Sequence, residues 1–225
     1  MFSFRRRTTG RPGKIYMALK SIRSLLANIF IFFTLSATLI PSYGVQALSS
    51  YSHSDNLPLL NAFVSQVKNG RSDQLRGVYI PEILAAPVVQ QPAGNDGFVS
   101  PRQNIVTQFG LASEFGSTGL LAHNTLAGAS FSQLEADQKI YLIYGDGQII
   151  TFIVTKILRY QALEPNNTSS KFIDLSTNES LKASEVFSKV YSRQGQIIFQ
   201  TCISEGTELS WGRLFVIAEP YSHKP

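Results

Sequence analysis

Cys202 is the only cysteine in a chain of 225 residues, and it sits where a nucleophile could be presented. It closes the apolar run Gln196–Ile203 beside Thr201 and precedes a polar stretch, Ser204–Gly212, that reads as a nine-residue loop. A thiol attacks carbon only as thiolate, and a free cysteine near pKa ~8.5 is only a few per cent ionised at neutral pH. A base must take the proton and return it to a leaving group. Of the three histidines, His53 lies in a serine-rich stretch and His223 three residues from the C-terminus. His123 follows the apolar run Gly119–Ala122 and is the candidate base. Arg213, which opens the run Leu214–Ala218, could donate to an oxyanion and hold the thiolate by its charge. Each residue alone also fits a packed or solvated strand position. The three together make acyl transfer through a thioester the chemistry to test.

These groups need a frame, and the pattern around them is mostly β. Ile140–Tyr144 and Ile149–Leu158 are strand runs joined by Gly145-Asp146-Gly147-Gln148, where Asp-Gly predicts a type I′ turn. Strands are also expected at 78–80, 83–89, 196–203 and 213–219. Short helices are expected within 55–69, over the capping-box pattern Ser132–Glu135, and over 181–191 with Val186, Phe187 and Val190 inward. Strands with scattered short helices, without alternating βα units, predict a mainly antiparallel barrel or sandwich.

The net charge of +5 is misleading as a functional clue. Residues 1–23 carry seven basic groups and no acid, so the remaining 13 basic residues face all 15 acids, a balance of −2. No later basic cluster is interleaved with aromatics, which argues against a nucleic-acid partner. One cysteine and three histidines cannot build a thiolate zinc cage, and no acidic calcium-binding cluster is evident. No metal and no cofactor are assigned.

After the basic residues, Leu25–Ile40 is an uncharged apolar run that leads through Pro41–Gly44 to Val45-Gln46-Ala47. That order predicts export through a signal peptide cut after Ala47, or a membrane anchor if uncut. The chain thus divides into a signal or anchor at 1–47, a linker with a short amphipathic helix at 48–82, and a catalytic barrel at 83–225.

Thr201-Cys202 at a strand end, with Arg213 leading Leu214-Phe215-Val216, resembles the Thr-Leu-x-Thr-Cys and Arg-x-Phe-Val stretches of sortases. The segment from Ala122-His123-Asn124 to Phe131 is similar to the sortase histidine segment, and it leads to Tyr144–Gly147 in that family's order. Gln200 departs from it, standing where many sortases have an apolar residue. The resemblance implies a closed antiparallel β-barrel of eight strands carrying a cysteine transpeptidase. Cys202 would be the nucleophile, His123 the general acid/base, and Arg213 the oxyanion and positioning group. Thr201 and Trp211 would contact substrate. The implied partners are a sorting-signal peptide and an amine acceptor, with the membrane reached through the N-terminal segment. A cysteine hydrolase and a non-catalytic exported binding barrel are the alternatives.

Overall fold

β-branched and aromatic residues recur at alternate positions through most of the chain after Gln74, and alternation of this kind buries one face of a strand. The computed structural model describes residues 58–167 and 169–222. The expected signal or anchor, His53 and His223 lie outside the described residues. Helix α1 (Leu60–Val67) is followed by strands β1 (Leu75–Ile80), β2 (Leu84–Gln90) and β3 (Val106–Phe109). Next come α2 (Gly110–Glu114), β4 (Thr118–Leu121), α3 (Gly128–Phe131), β5 (Lys139–Tyr144) and β6 (Ile149–Ala162). The described chain ends with β7 (Lys171–Asp174), β8 (Ser180–Lys182), α4 (Ala183–Tyr191), β9 (Ile197–Glu205) and β10 (Glu208–Pro220).

The strands form one sheet in the order β10-β9-β4-β3-β2-β1-β5-β6-β7-β8, and β6 pairs back onto β10. That last pairing closes eight strands into a barrel and leaves β7 and β8 as a flap outside it. The barrel is mixed rather than antiparallel, because β2–β3 and β4–β9 run parallel. Short-range hairpin signals cannot report such pairs, since each needs a crossover connection. β1 pairs with both β2 and β5, so one barrel strand falls within the stretch expected as linker.

Every barrel strand contributes to one interior cluster, including Val78, Val88, Val106, Leu120, Leu142, Val154, Phe199 and Val216. A second cluster covers the outer face of β4, β6, β9 and β10, where Phe109 at the end of β3, Leu111 of α2, and Phe187 and Tyr191 of α4 pack with Ile198 and Phe215. Val186, Phe187 and Val190 are buried as expected. Helix α1 packs Phe63 and Val67 against Ile143 in a third, smaller cluster.

Three local readings are corrected. The 144–148 turn is a three-residue loop, not type I′: Gly147 N–H donates to Tyr144 O, and only Gly147, at φ 94°, is left-handed. Ser132 does not start a helix. It ends α3, and its hydroxyl donates back to Ala129 O. The expected loop 204–212 is largely strand, since β9 and β10 continue to a turn of only Gly206 and Thr207. The register slips between Glu208 and Gly212, and this irregular stretch immediately precedes Arg213.

Candidate active site

Cys202 and Arg213 are directly opposed on β9 and β10, so their side chains share a face. The parallel β4–β9 pairing sets Leu121 opposite Gln200, and that register extended by two residues brings His123 to the level of Cys202. Two bonds keep the chains together beyond the end of β4. Ala122 N–H donates to Gln200 O at 3.3 Å, and the Thr201 hydroxyl donates to Ala122 O at 2.8 Å. Thr201 is thus a clasp between the histidine and cysteine segments.

His123 is held from several sides. Its carbonyl accepts from Leu126 and Gly128 N–H, at 2.9 and 3.0 Å. Gly128 is required here: a Cβ at that position would collide with the Thr201 hydroxyl and lie 2.6 Å from His123 O. The next residue, Asn124, donates to Ser204 Oγ and Leu209 O at 2.7 and 2.9 Å, tying the histidine loop to the β9–β10 hairpin. The carbonyl of Val99 lies at the imidazole. Gln91 shapes that loop, donating to Asp96 O and Phe98 O and accepting from Gly110 N–H.

Arg213 lies inside β10 and is only 3% exposed, which replaces the picture of a strand-opening, solvated charge. Its Nη1 donates to Ser210 O and Gly212 O at 2.8 and 2.9 Å, and Nη2 reaches Pro165 O at 3.4 Å. A cation in a dry site needs such carbonyls. Cys202 is 4% exposed. Burial pushes its thiol above the ordinary value, opposed by the Arg213 charge and the neighbouring Ser210 side chain, while Glu208 adds to the rise. Burial pulls the His123 imidazole below its ordinary value, opposed by the Val99 carbonyl. Thiol and imidazole are both held toward their neutral forms.

A cleft of about 250 Å³ opens at the barrel mouth beneath α3, with Thr201, Cys202, Asn124, Arg159 and Leu214 in its wall. His123, Arg213 and Trp211 are not among its lining residues. Trp211 is half-buried in the slipped stretch of β10. Among the described residues no His/Cys/Asp/Glu group could hold a metal ion, and no helix is long and apolar enough to cross a membrane.

Known structures give a resemblance in outline, and it is to sortases. Sortase A from Corynebacterium diphtheriae is 13% identical with a TM-score of 0.45, over 67% of this chain and 62% of that one. Sortase C1 from Streptococcus suis is 14% identical with a TM-score of 0.46, over 73% and 79%. Sortase C-1 from Actinomyces oris is 14% identical with a TM-score of 0.44, over 93% and 99%. No family model and no curated protein matches the sequence.

Ser210, Asn124, Gly128 and Val99 were not singled out from the sequence as site-building residues. Asn124 and Gly128 lie in the histidine segment and could have been suspected there. Ser210 and Val99 come from a slipped strand and a long loop, and no local pattern marks either.

Proposed function

We propose that this chain is an exported sortase-like cysteine transpeptidase, cleaving a sorting-signal peptide through a thioester and passing the acyl group to an amine. The observation that carries the reading is the register that opposes Cys202 to Arg213 and, continued two residues past Leu121 and Gln200, brings His123 level with Cys202. The cycle follows from these groups. The Cys202 proton passes to the imidazole, and the sulfur attacks the peptide carbonyl. Arg213 turns an Nη donor from Pro165 O to the oxyanion, exchanging its longest contact for a developing negative charge. The C–N bond breaks, and the leaving amine takes the proton from His123. An incoming amine then gives its proton to His123 as it attacks the thioester, and Cys202 leaves as a thiolate that His123 reprotonates. The N-terminal 47 residues would carry the domain to, or hold it at, the cell surface.

The 4% exposure of Cys202 favours a second reading, a non-catalytic barrel with a packed thiol. One experiment separates the readings. The protein is incubated with a library of sorting-signal peptides, with and without a nucleophilic amine, and Cys202 is followed by mass spectrometry. A thioester converted to peptide–amine adduct supports the transpeptidase. Release to water alone identifies the hydrolase. No thioester, with no labelling by a thiol probe before unfolding, identifies the binding barrel.

A further inference from the structure

We propose that the cleft at the barrel mouth is a second binding site, on the reverse face of the sheet from Cys202 and Arg213, and that it takes one carboxylate on a short aliphatic body, held by Arg159. The inference goes beyond the transpeptidase reading and does not depend on it.

Strand alternation separates the two faces. On β9, Ile197 and Phe199 enter the barrel's interior cluster, while Ile198 between them enters the outer one. On β10, Leu214 and Val216 point inward, and Phe215 and Ile217 outward. The same alternation turns Thr201 and Ile203 inward and Cys202 and Arg213 outward. On β6, Leu158 and Tyr160 belong to the outer cluster, so Arg159 between them faces in. The register then sets Thr201, Leu214 and Arg159 in one inward row across three strands. All three line the cleft, and neither His123 nor Arg213 does. Cys202 borders it from the far side of its own strand.

The cleft has a buried apolar floor and an exposed polar rim. Leu214 and Gly128 are buried and Ile203 half-buried, whereas Arg159, Ser132 and Ser204 are exposed. Among the described residues no acid lines it. Its other polar side chains are already committed to the protein. Asn124 donates to Ser204 Oγ and Leu209 O, Ser132 to Ala129 O, and Thr201 to Ala122 O. Among the described residues the Arg159 side chain makes no hydrogen bond and no ion pair. One uncommitted guanidinium at the rim of an apolar floor complements one ligand chemistry. An aliphatic body covers Leu214 and Ile203, and a carboxylate meets the planar fork of donors. The volume of about 250 Å³ lies below the range of drug-sized pockets, which limits the occupant to a small acid or the end of a chain.

The test titrates the full chain with 4-methylpentanoate and with its neutral isostere, 4-methylpentanamide. Backbone amide shifts are followed by NMR in wild type and Arg159→Gln, with thermal melts of both. The acid should bind wild type with a Kd on the order of 1 mM, an affinity within reach of so small a ligand. It should shift the amides of Ala129, Ile203 and Leu214. The neutral isostere should bind roughly tenfold more weakly, the scale of a hydrogen bond to a charged group. Arg159→Gln, a change at an exposed position, should melt as wild type does and bind acid and isostere alike. An acetylated dipeptide ending in leucine presents the same two groups, and whichever of the two carboxylates binds more tightly assigns the site to a free acid or to a chain end. Equal binding of acid and isostere by wild type overturns the proposal. So does a preference for the acid that survives in Arg159→Gln, a set of shifts that avoids the cleft, or the absence of binding. Cys202→Ala should bind the acid as wild type does, because the sulfur lies on the other face, and a loss of binding there would overturn the separation of the two sites. None of these readouts needs a peptide substrate or a thioester, so failure of the transpeptidase reading would leave this one standing.

Discussion

One row of side chains crosses the outer face of four strands, and its two ends handle charge in opposite ways. Cys202 on β9 faces Arg213 on β10, which faces Tyr160 on β6, which faces Asp174 on β7. At the Asp174 end the charge is completed. Burial alone would raise its carboxyl, but the Ser176 hydroxyl and amide and the Lys189 ammonium outweigh burial and hold it at about 2. At the Cys202 end burial prevails, and both thiol and imidazole are displaced toward neutrality. The first arrangement is what stability needs, a buried charge with every partner supplied. The second leaves thiol and imidazole neutral, the resting state from which the proposed transpeptidase would start. One row across four paired strands therefore carries one cluster that is finished and one that is poised.

The largest effect should come from Cys202, the proposed nucleophile. Cys202→Ala should abolish thioester and product while shifting Tm only slightly, because the volume change is small. Retained turnover would remove the poised end from the comparison altogether. Arg213 comes next. Arg213→Lys keeps the charge and loses the planar fork, so kcat/KM should fall roughly 10²-fold or more. Arg213→Ala should cost at least as much. It should also lower Tm by several degrees, because Ser210 O and Gly212 O lose their buried donor, at about 1–3 kcal/mol for each unsatisfied group. Kinetics together with melts of both variants check this. Normal activity in both would leave Cys202 and His123 as the reacting set.

The third prediction is a pH profile, which reads the poised end directly. An imidazole displaced downward sets an acid limb of kcat/KM below 6.5, its ordinary value. A thiol displaced upward sets an alkaline limb above 9.0. The profile should be a broad bell with its plateau between those limbs. An alkaline limb well below 9.0 would mean that the arginine and serine overcome burial, making the Cys202 end resemble the Asp174 end.

The residues that could do chemistry were legible because they are few and their flanks are distinctive. The strand runs around Cys202 and 140–158 were legible because each carries a local apolar pattern. The parallel pairs β2–β3 and β4–β9 were not, since nothing within a strand names a neighbour reached by a crossover. β4 is four residues long and reads as the tail of an apolar run, yet it is the strand that delivers His123. The 204–212 stretch reads as loop because of its Gly, Ser and Glu residues, and the structure uses those same residues in a bulged hairpin. A buried Gln200 was not legible either: Tyr191 of α4 donates its hydroxyl to the Gln200 amide oxygen at 2.6 Å, a partner that only the tertiary fold supplies.

The smallest effect on activity, and a definite one on stability, is expected at the finished end. Asp174→Asn keeps the shape and removes the charge that Lys189 meets at 3.1 Å. The folded carboxyl titrates at about 2 against an ordinary 3.8, so the charged form is the one that folding favours. Its contribution, on the order of 2 kcal/mol, is fully present above 3.8 and fades as pH falls toward 2. The Tm gap between wild type and Asp174→Asn should therefore be constant from neutral pH down to about 5, then narrow and nearly close by pH 2. Lys189 keeps a second, weaker partner in Glu179 at 3.9 Å, which softens the loss without replacing it. Activity at neutral pH should stay within about twofold of wild type, because two strands separate Asp174 from Cys202. A Tm gap independent of pH would show that shape alone mattered at Asp174. A large fall in activity without a fall in Tm would show that the two ends of the row are coupled through Tyr160 and Arg213.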